Sequence, residues 1–258
     1  MKPEAYINYR AVHYIDGMKS VIDIPLGGEY TFTLAVNTNP FISIACSGLD
    51  LEVLAIGHLF SEGIIRSLDD VVSIDLNYPD RIVDVHTKMD DGILEQLLRL
   101  RTIASGCGQG TPDESVSIER IRELPQLAGS TILKCMKQFL AHSELHRLTH
   151  SVHSSALCDS EGQMVRFYDE IGRHNAIDKI LGYSLQQGMS LKDKMILSTG
   201  RMSSEIVYKC LRGGATVIVS RASPTTLSCD LARKHNLMMV GRIRANSFTI
   251  FNGDEYIN

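Results

Sequence analysis

The chemistry available to this chain centres on one sulfur. Cys107 sits in Ser105-Gly106-Cys107-Gly108-Gln109-Gly110, a thiol among three glycines with almost no apolar side chain beside it. Glycine has no Cβ, so such a segment can move or can bring its sulfur close to another chain. Cys46, Cys135, Cys158, Cys210 and Cys229 lie instead in apolar strands or helices, as small core residues do. Cys107 reads either as a working thiolate on a flexible arm or as an incidental cysteine in a linker.

A second set of residues suits anions. Arg173 and Arg201 open predicted helices, in Arg173-His174-Asn175-Ala176 and Thr199-Gly200-Arg201-Met202-Ser203-Ser204. Arg221 follows a predicted strand in Ser220-Arg221-Ala222-Ser223-Pro224-Thr225. Helix N-termini offer unpaired N–H groups and partial positive charge, and open α/β sheets hold ligands where strands end and helices begin. The pattern points to a phosphorylated, nucleotide-containing ligand held by Arg173, His174, Arg201, Ser203 and Arg221. The plainer alternative is that these arginines cap helices and pair with Asp169, Glu170 or Asp178. No Gly-x-x-x-x-Gly-Lys-Ser/Thr or Gly-x-Gly-x-x-Gly pattern occurs, which argues against ordinary ATP or NAD binding. His174 and Asp178, four apart on one helix, are placed to meet. His153 and Ser154 line the same pocket or are satisfied strand residues. His142, His146 and His150 have helical spacing, but with no cysteine or carboxylate positioned beside them no metal site is expected.

The whole chain must position these groups. Its 258 residues, 44% hydrophobic, suffice for one large domain or two ordinary ones. A net charge of −4 argues against broad nucleic-acid binding. Six cysteines without paired spacing fit a reducing cytoplasm. Residues 1–16 contain no apolar leader-like stretch, and no run reaches membrane-spanning length, so a soluble cytoplasmic protein is expected.

Alternation over 20–25 and 30–37, around Leu26-Gly27-Gly28-Glu29, predicts a β-hairpin. Further strands are expected at 41–46, 71–76 and 81–86, with a helix capped by Asp50 and ended by Gly63. A short helix is expected over 92–100. Residues 1–103 thus form an α+β N-terminal domain, 104–114 the glycine-rich loop, and 115–258 a second domain. That second domain should contain a helix over 131–145 and a hairpin of 152–158 with 164–168. Helix and strand then alternate: 174–186, 195–198, 203–211, 215–220, 225–236 and 237–242. Helix, hairpin, then helix–strand repeats is the order of a cytidine-deaminase-like α/β/α three-layer domain.

A zinc deaminase needs His-x-Glu at the first helix and Pro-Cys-x-x-Cys at the next. Here the first site lacks the glutamate and the second lacks any cysteine, so zinc is not expected.

Over nearly its whole length the sequence resembles the FdhD family of sulfur carriers. The resemblance runs through Leu54-Ala55-Ile56-Gly57-His58-Leu59-Phe60-Ser61-Glu62-Gly63-Ile64-Ile65, the Cys107 loop and Val152-His153-Ser154-Ser155-Ala156-Leu157. It continues through Asp169-Glu170-Ile171-Gly172-Arg173-His174-Asn175-Ala176-Ile177-Asp178-Lys179, Ser198 to Glu205, and Ser220 to Thr225. It implies a cytoplasmic sulfurtransferase, turning over or acting stoichiometrically. Such a protein accepts sulfur from a cysteine desulfurase as a persulfide. It then passes that sulfur to a molybdenum bis-guanine-dinucleotide cofactor destined for formate dehydrogenase. The persulfide maps onto Cys107, and the cofactor contact onto Arg242, Ile243, Arg244, Ala245, Asn246 and Ser247. Guanidinium groups suit the phosphates of that cofactor. Gly110 stands where family members often carry a second cysteine. With no resolving thiol nearby, a persulfide on Cys107 should persist until an acceptor takes its terminal sulfur. The competing readings are a non-catalytic cofactor chaperone and a nucleotide hydrolase of deaminase ancestry. A symmetric homodimer is the expected assembly, with the apolar helix faces at 51–60 and 204–211 as core or subunit interface.

Overall fold

The computed structural model describes residues 2–90, 92 and 118–258. Cys107, its loop, and all but Gly92 of the helix expected over 92–100 lie outside them.

The described residues form three sheets. Strands β1 (Tyr6–Ile15) and β2 (Met18–Gly27) pair with each other alone, as an antiparallel ribbon. Strands β3 (Tyr30–Val36), β4 (Asn39–Cys46), β5 (Val71–Asn77) and β6 (Ile82–Thr87) make a four-stranded sheet in the order β4-β3-β6-β5. The hairpin expected around Leu26–Glu29 is therefore not formed: β2 returns along β1, and β3 pairs with β4 and β6. Gly27 and Gly28 serve close approach rather than a tight turn. A Cβ on Gly27 would meet Ser151 Oγ at 2.6 Å, and one on Gly28 would collide with the Glu4 carbonyl.

Helix α1 (Leu51–Ser61) is apolar around most of its circumference, with Leu51, Leu54, Ala55, Ile56 and Leu59 buried. A helix of that kind must be covered on more than one side. It packs on the four-stranded sheet through Leu54 and Leu59, against Phe32, Leu34, Val36, Val83 and Val85. Asp50 holds the position before its first turn in left-handed backbone (φ 49°), and its side chain makes no capping bond. The expected start is right, but the capping mechanism is not.

The second half begins with α2 (Gly129–His142) and α3 (Glu144–Thr149), which replace the single helix expected over 131–145. The break falls at Ser143, whose Oγ accepts from His146 N and so starts a new helix. Then follow β7 (His153–Asp159), β8 (Met164–Glu170), α4 (Arg173–Gln186), β9 (Lys194–Ser198), α5 (Ser204–Arg212), β10 (Val217–Ser220), α6 (Thr226–His235), β11 (Met238–Arg244) and β12 (Ser247–Asn252). The sheet order is β12-β11-β10-β9-β7-β8, with β9, β10 and β11 parallel and the other pairs antiparallel. The central strands are buried on both faces, as Met195-Ile196-Leu197 and Val217-Ile218-Val219 require. One face packs on α2 through Ile132, Met136 and Phe139; the other packs on α4, α5 and α6 through Ile177, Ile180, Ile206, Val207, Leu231 and Ala232. The result is helix, sheet, helix in three layers.

The two halves meet where α1 lies on α4. Gly57 and Gly182 allow this contact, since a Cβ on Gly57 would collide with the Asp178 carbonyl and one on Gly182 with the Val53 carbonyl. The apolar faces at 51–60 and 204–211 are thus consumed within the chain.

Candidate functional site

The three parallel strands all end on one edge of the six-stranded sheet, and the loops leaving them are tied together. Arg221 N donates to Ser198 O, Ser220 Oγ to Gly200 O, and Met202 N to Ser223 O. Arg242 N donates to Ala222 O, and the Arg244 guanidinium to Ile243 O at 2.9 Å. Residues 199–203, 221–225 and 242–246 form one continuous rim.

Every arginine expected to bind anions lies on or beside this rim. Arg201, Arg221, Arg242 and Arg244 are exposed; Arg173 is half-buried behind them. Arg242 is held at φ 55°, in an irregular part of β11 between Gly241 and Arg244. Ile243 is buried beneath it, whereas Ala245 and Asn246 form the exposed turn into Ser247 and β12. Strand β12 was not expected, so the cofactor-contact stretch is a strand–turn–strand corner rather than a strand terminus.

The alternative role for these arginines, pairing with Asp169, Glu170 or Asp178, is not what the structure contains. Asp169 accepts from Ser154 Oγ (2.6 Å) and Ser143 Oγ (2.8 Å). Glu170 is paired with Lys179 at 2.6 Å and accepts from Ser47 N and Oγ. Asp178 is taken by Lys209, Ser61 and His58. Each of these three carboxylates has other partners.

Deeper in, the starts of α4 and α5 stand side by side. Arg173 packs its aliphatic stem on Gly200, where a Cβ would sit 2.7 Å away. His153 Nδ1 lies 3.3 Å from Thr199 Oγ1, whose oxygen also accepts from Ser154 N. His174 approaches Glu205, Nε2 to Oε2 3.0 Å, without hydrogen-bond alignment. Arg173 Nε and Ser203 Oγ are buried polar atoms with no hydrogen-bond partner among the described residues. Buried polar groups are normally satisfied, so two orphans at adjacent helix starts suit a bound polar group.

The electrostatics agree. Burial, then the Arg173 and Lys209 charges, push the His174 imidazole down to about 4, with Asp178 opposing in part. Burial lowers His153 as well, helped by Arg173 and His146. Both shifts favour the neutral imidazole, which keeps one N–H to donate and one nitrogen to accept. His174 and Asp178 do not meet as their spacing suggested, because Asp178 turns into the seam between halves. Among the described residues, no three His, Cys, Asp or Glu side chains group as a metal site, His142, His146 and His150 included.

Spacing gave no sign of His58, Ser61, Lys209 and Glu205, which come from other elements. The available signal was a lysine on an otherwise apolar helix face, Ile206-Val207 and Cys210-Leu211 flanking Lys209.

The fold is mixed α/β, with a row of exposed arginines along one edge of the six-stranded sheet. Residues 28–258 match the model of the FdhD/NarQ family, and the chain belongs to that family. It is 34% identical over 242 residues to the "Sulfur carrier protein FdhD" of Listeria monocytogenes serotype 4b, covering 92% of both chains. It is 33% identical over 265 residues to the protein of that name from Staphylococcus aureus strain MRSA252, covering 100% of this chain and 98% of the other. A crystal structure of a formate dehydrogenase accessory protein from Desulfotalea psychrophila superposes with a TM-score of 0.80 at 25% identity, over 99% of this chain and 100% of that one.

Proposed function

We propose that this protein is a sulfur carrier that serves formate dehydrogenase maturation. The Cys107 thiolate attacks the terminal sulfur of a persulfide on a cysteine desulfurase; that S–S bond breaks, and the desulfurase leaves as its thiolate. The sulfur then passes from Cys107 to a molybdenum bis-guanine-dinucleotide cofactor bound as substrate. Cys107 departs as a thiolate, so the two electrons that turn the transferred sulfur into a sulfido ligand come from the acceptor. Arg221, Arg242 and Arg244 hold the phosphates of that acceptor, with Arg173, His174, Arg201 and Ser203 completing the cradle.

The observation that carries this reading is a rim of arginines, none of them paired with Asp169, Glu170 or Asp178, in a chain matched end to end by sulfur carrier proteins. The sheet order also supports a cytidine-deaminase-like ancestry for 115–258. At the two helix starts where that chemistry places its metal ligands, Arg173-His174 and Ser203-Ser204 stand instead. Reaction in the cytoplasm suits the free thiols.

The test is intact-mass analysis after incubation with a cysteine desulfurase and cysteine. A gain of one sulfur atom, lost in Cys107→Ser, is expected. An unchanged mass, with guanine nucleotide still bound, would make the protein a cofactor chaperone instead.

A further inference from the structure

A cavity of about 730 Å³ lies at the edge of the six-stranded sheet where β9 and β10 begin, the far end of the strands whose other ends carry the arginine rim. That volume falls in the ~300–1,000 Å³ range of small-molecule sites. One wall is the turn from α5 into β10, Leu211 to Thr216, joined by Lys192, whose carbonyl accepts from Thr216 Oγ1 at 2.7 Å. The facing wall is residues 118–123. This stretch has no helix or strand of its own, yet it is anchored at its middle. Ile121 N donates to His235 O, Asn236 Nδ2 donates to Ile121 O, and Ile118 and Ile121 pack on the core.

Charge distinguishes the cavity. Arg120, Arg122, Lys192 and Arg212 line it against Glu119 and Glu123, four cations to two carboxylates. Among the described residues none of these six makes an ion pair. Arg120, Arg122 and Lys192 are exposed, whereas Arg212 is half-buried. Arg212 Nη1 donates to Ser61 O at 2.9 Å, which fixes the guanidinium at the seam between the halves. Its Nε is a buried polar atom with no hydrogen-bond partner among the described residues. A buried, charged N–H donor left without an acceptor is costly, and such groups are normally satisfied.

We propose that this cavity binds a phosphorylated small molecule, whose phosphate oxygens accept from Arg212 Nε and from Lys192, with Arg120 and Arg122 opposite. The excess of two positive charges matches a ligand carrying two or more negative ones. Guanidinium groups present paired N–H donors to phosphate, and an ammonium adds a compact charge. A donor buried in a concave wall is reached by a compact ion and not by the surface of a folded protein. The site shares no residue with the rim, so it stands whether or not the rim holds the sulfur acceptor.

Calorimetry with inorganic pyrophosphate tests this, using the full chain with Arg221→Ala/Arg242→Ala so that the rim contributes little. That background should bind one pyrophosphate per chain. Lys192→Met, at an exposed position, should weaken binding by about tenfold or more. Arg212→Lys, which keeps the charge and removes the Nε–H, should weaken it similarly in protein whose far-ultraviolet spectrum is unchanged. Lys234→Met removes an exposed cation of α6 that does not line the cavity, and should leave affinity unchanged. Amide exchange at 211–216 should slow on adding pyrophosphate. Absence of binding in the background, undiminished affinity in Lys192→Met, or an equal loss in Lys234→Met overturns the proposal.

Discussion

Lys209 Nζ lies 2.8 Å from both carboxylate oxygens of Asp178, and His58 Nδ1 lies 3.1 Å from one of them. Three helices, α1, α4 and α5, are pinned at this carboxylate, which is only 1% exposed. Burial alone would raise the Asp178 pKa. The Lys209 charge and the His58 contact outweigh it and hold the carboxyl well below the usual range.

Lys209→Met should therefore destabilise the protein by about 3–5 kcal/mol, since it leaves a buried charge without its counter-ion. Urea denaturation at pH 7 measures this. Because the folded-state pKa is depressed, the stabilisation from Asp178 is present above the ordinary carboxylate value. It is lost only as pH falls through the lower folded value. A Lys209→Met variant combined with Asp178→Asn should recover part of the loss.

His174 titrates in the opposite chemical sense. Its folded pKa of about 4 lies below the ~6.5 of a free histidine, so the unfolded chain binds more protons between those values. Its contribution to stability is complete above about pH 6.5 and declines as pH drops toward 4. His174→Asn should flatten that part of the melting-temperature profile. An NMR titration should find the ring neutral at pH 6.

The close packing of α1 on α4 has a sharp steric limit. Gly57→Ala, which sets a methyl group against the Asp178 carbonyl, should cost about 1–3 kcal/mol or more through helix displacement. Gly63→Ala, in open space but at φ 77°, tests backbone strain alone and should cost less.

If the proposed acceptor binds at the rim, guanosine diphosphate, a probe of its nucleotide end, should bind there too. Arg221→Ala, Arg242→Ala and Arg244→Ala should each weaken binding by about tenfold or more in calorimetry, with little change in stability. Arg→Lys should restore only part of it, because a point charge cannot reproduce a bidentate contact. Unchanged affinity in all three would move the ligand elsewhere.

Much of the three-layer half was legible from short apolar strands alternating with helices, since buried parallel strands must be continuously hydrophobic. The loops that carry the arginines were legible for the same reason: they follow strand ends. What the sequence did not disclose was partnership. Gly27-Gly28 looks like a turn because glycine permits one, yet the strand partners of Ile24 and Phe32 are chosen by distant segments. His174 and Asp178 have ideal spacing, but Lys209, 31 residues further on, decides where Asp178 points. Strand β1 was missed because it belongs to no core, so burial imposes no pattern of its own on residues 6–15.

Ser47 ties the two halves together across their boundary. Its N–H and hydroxyl both reach Glu170, whose carboxylate is sealed with Lys179 at 0% exposure. Cutting the chain near residue 103 and expressing the pieces apart would strand an ammonium and a carboxylate at a freshly wetted surface, beside an uncovered α4. The halves should therefore melt in a single cooperative transition, and neither fragment should be a faithful surrogate for the whole.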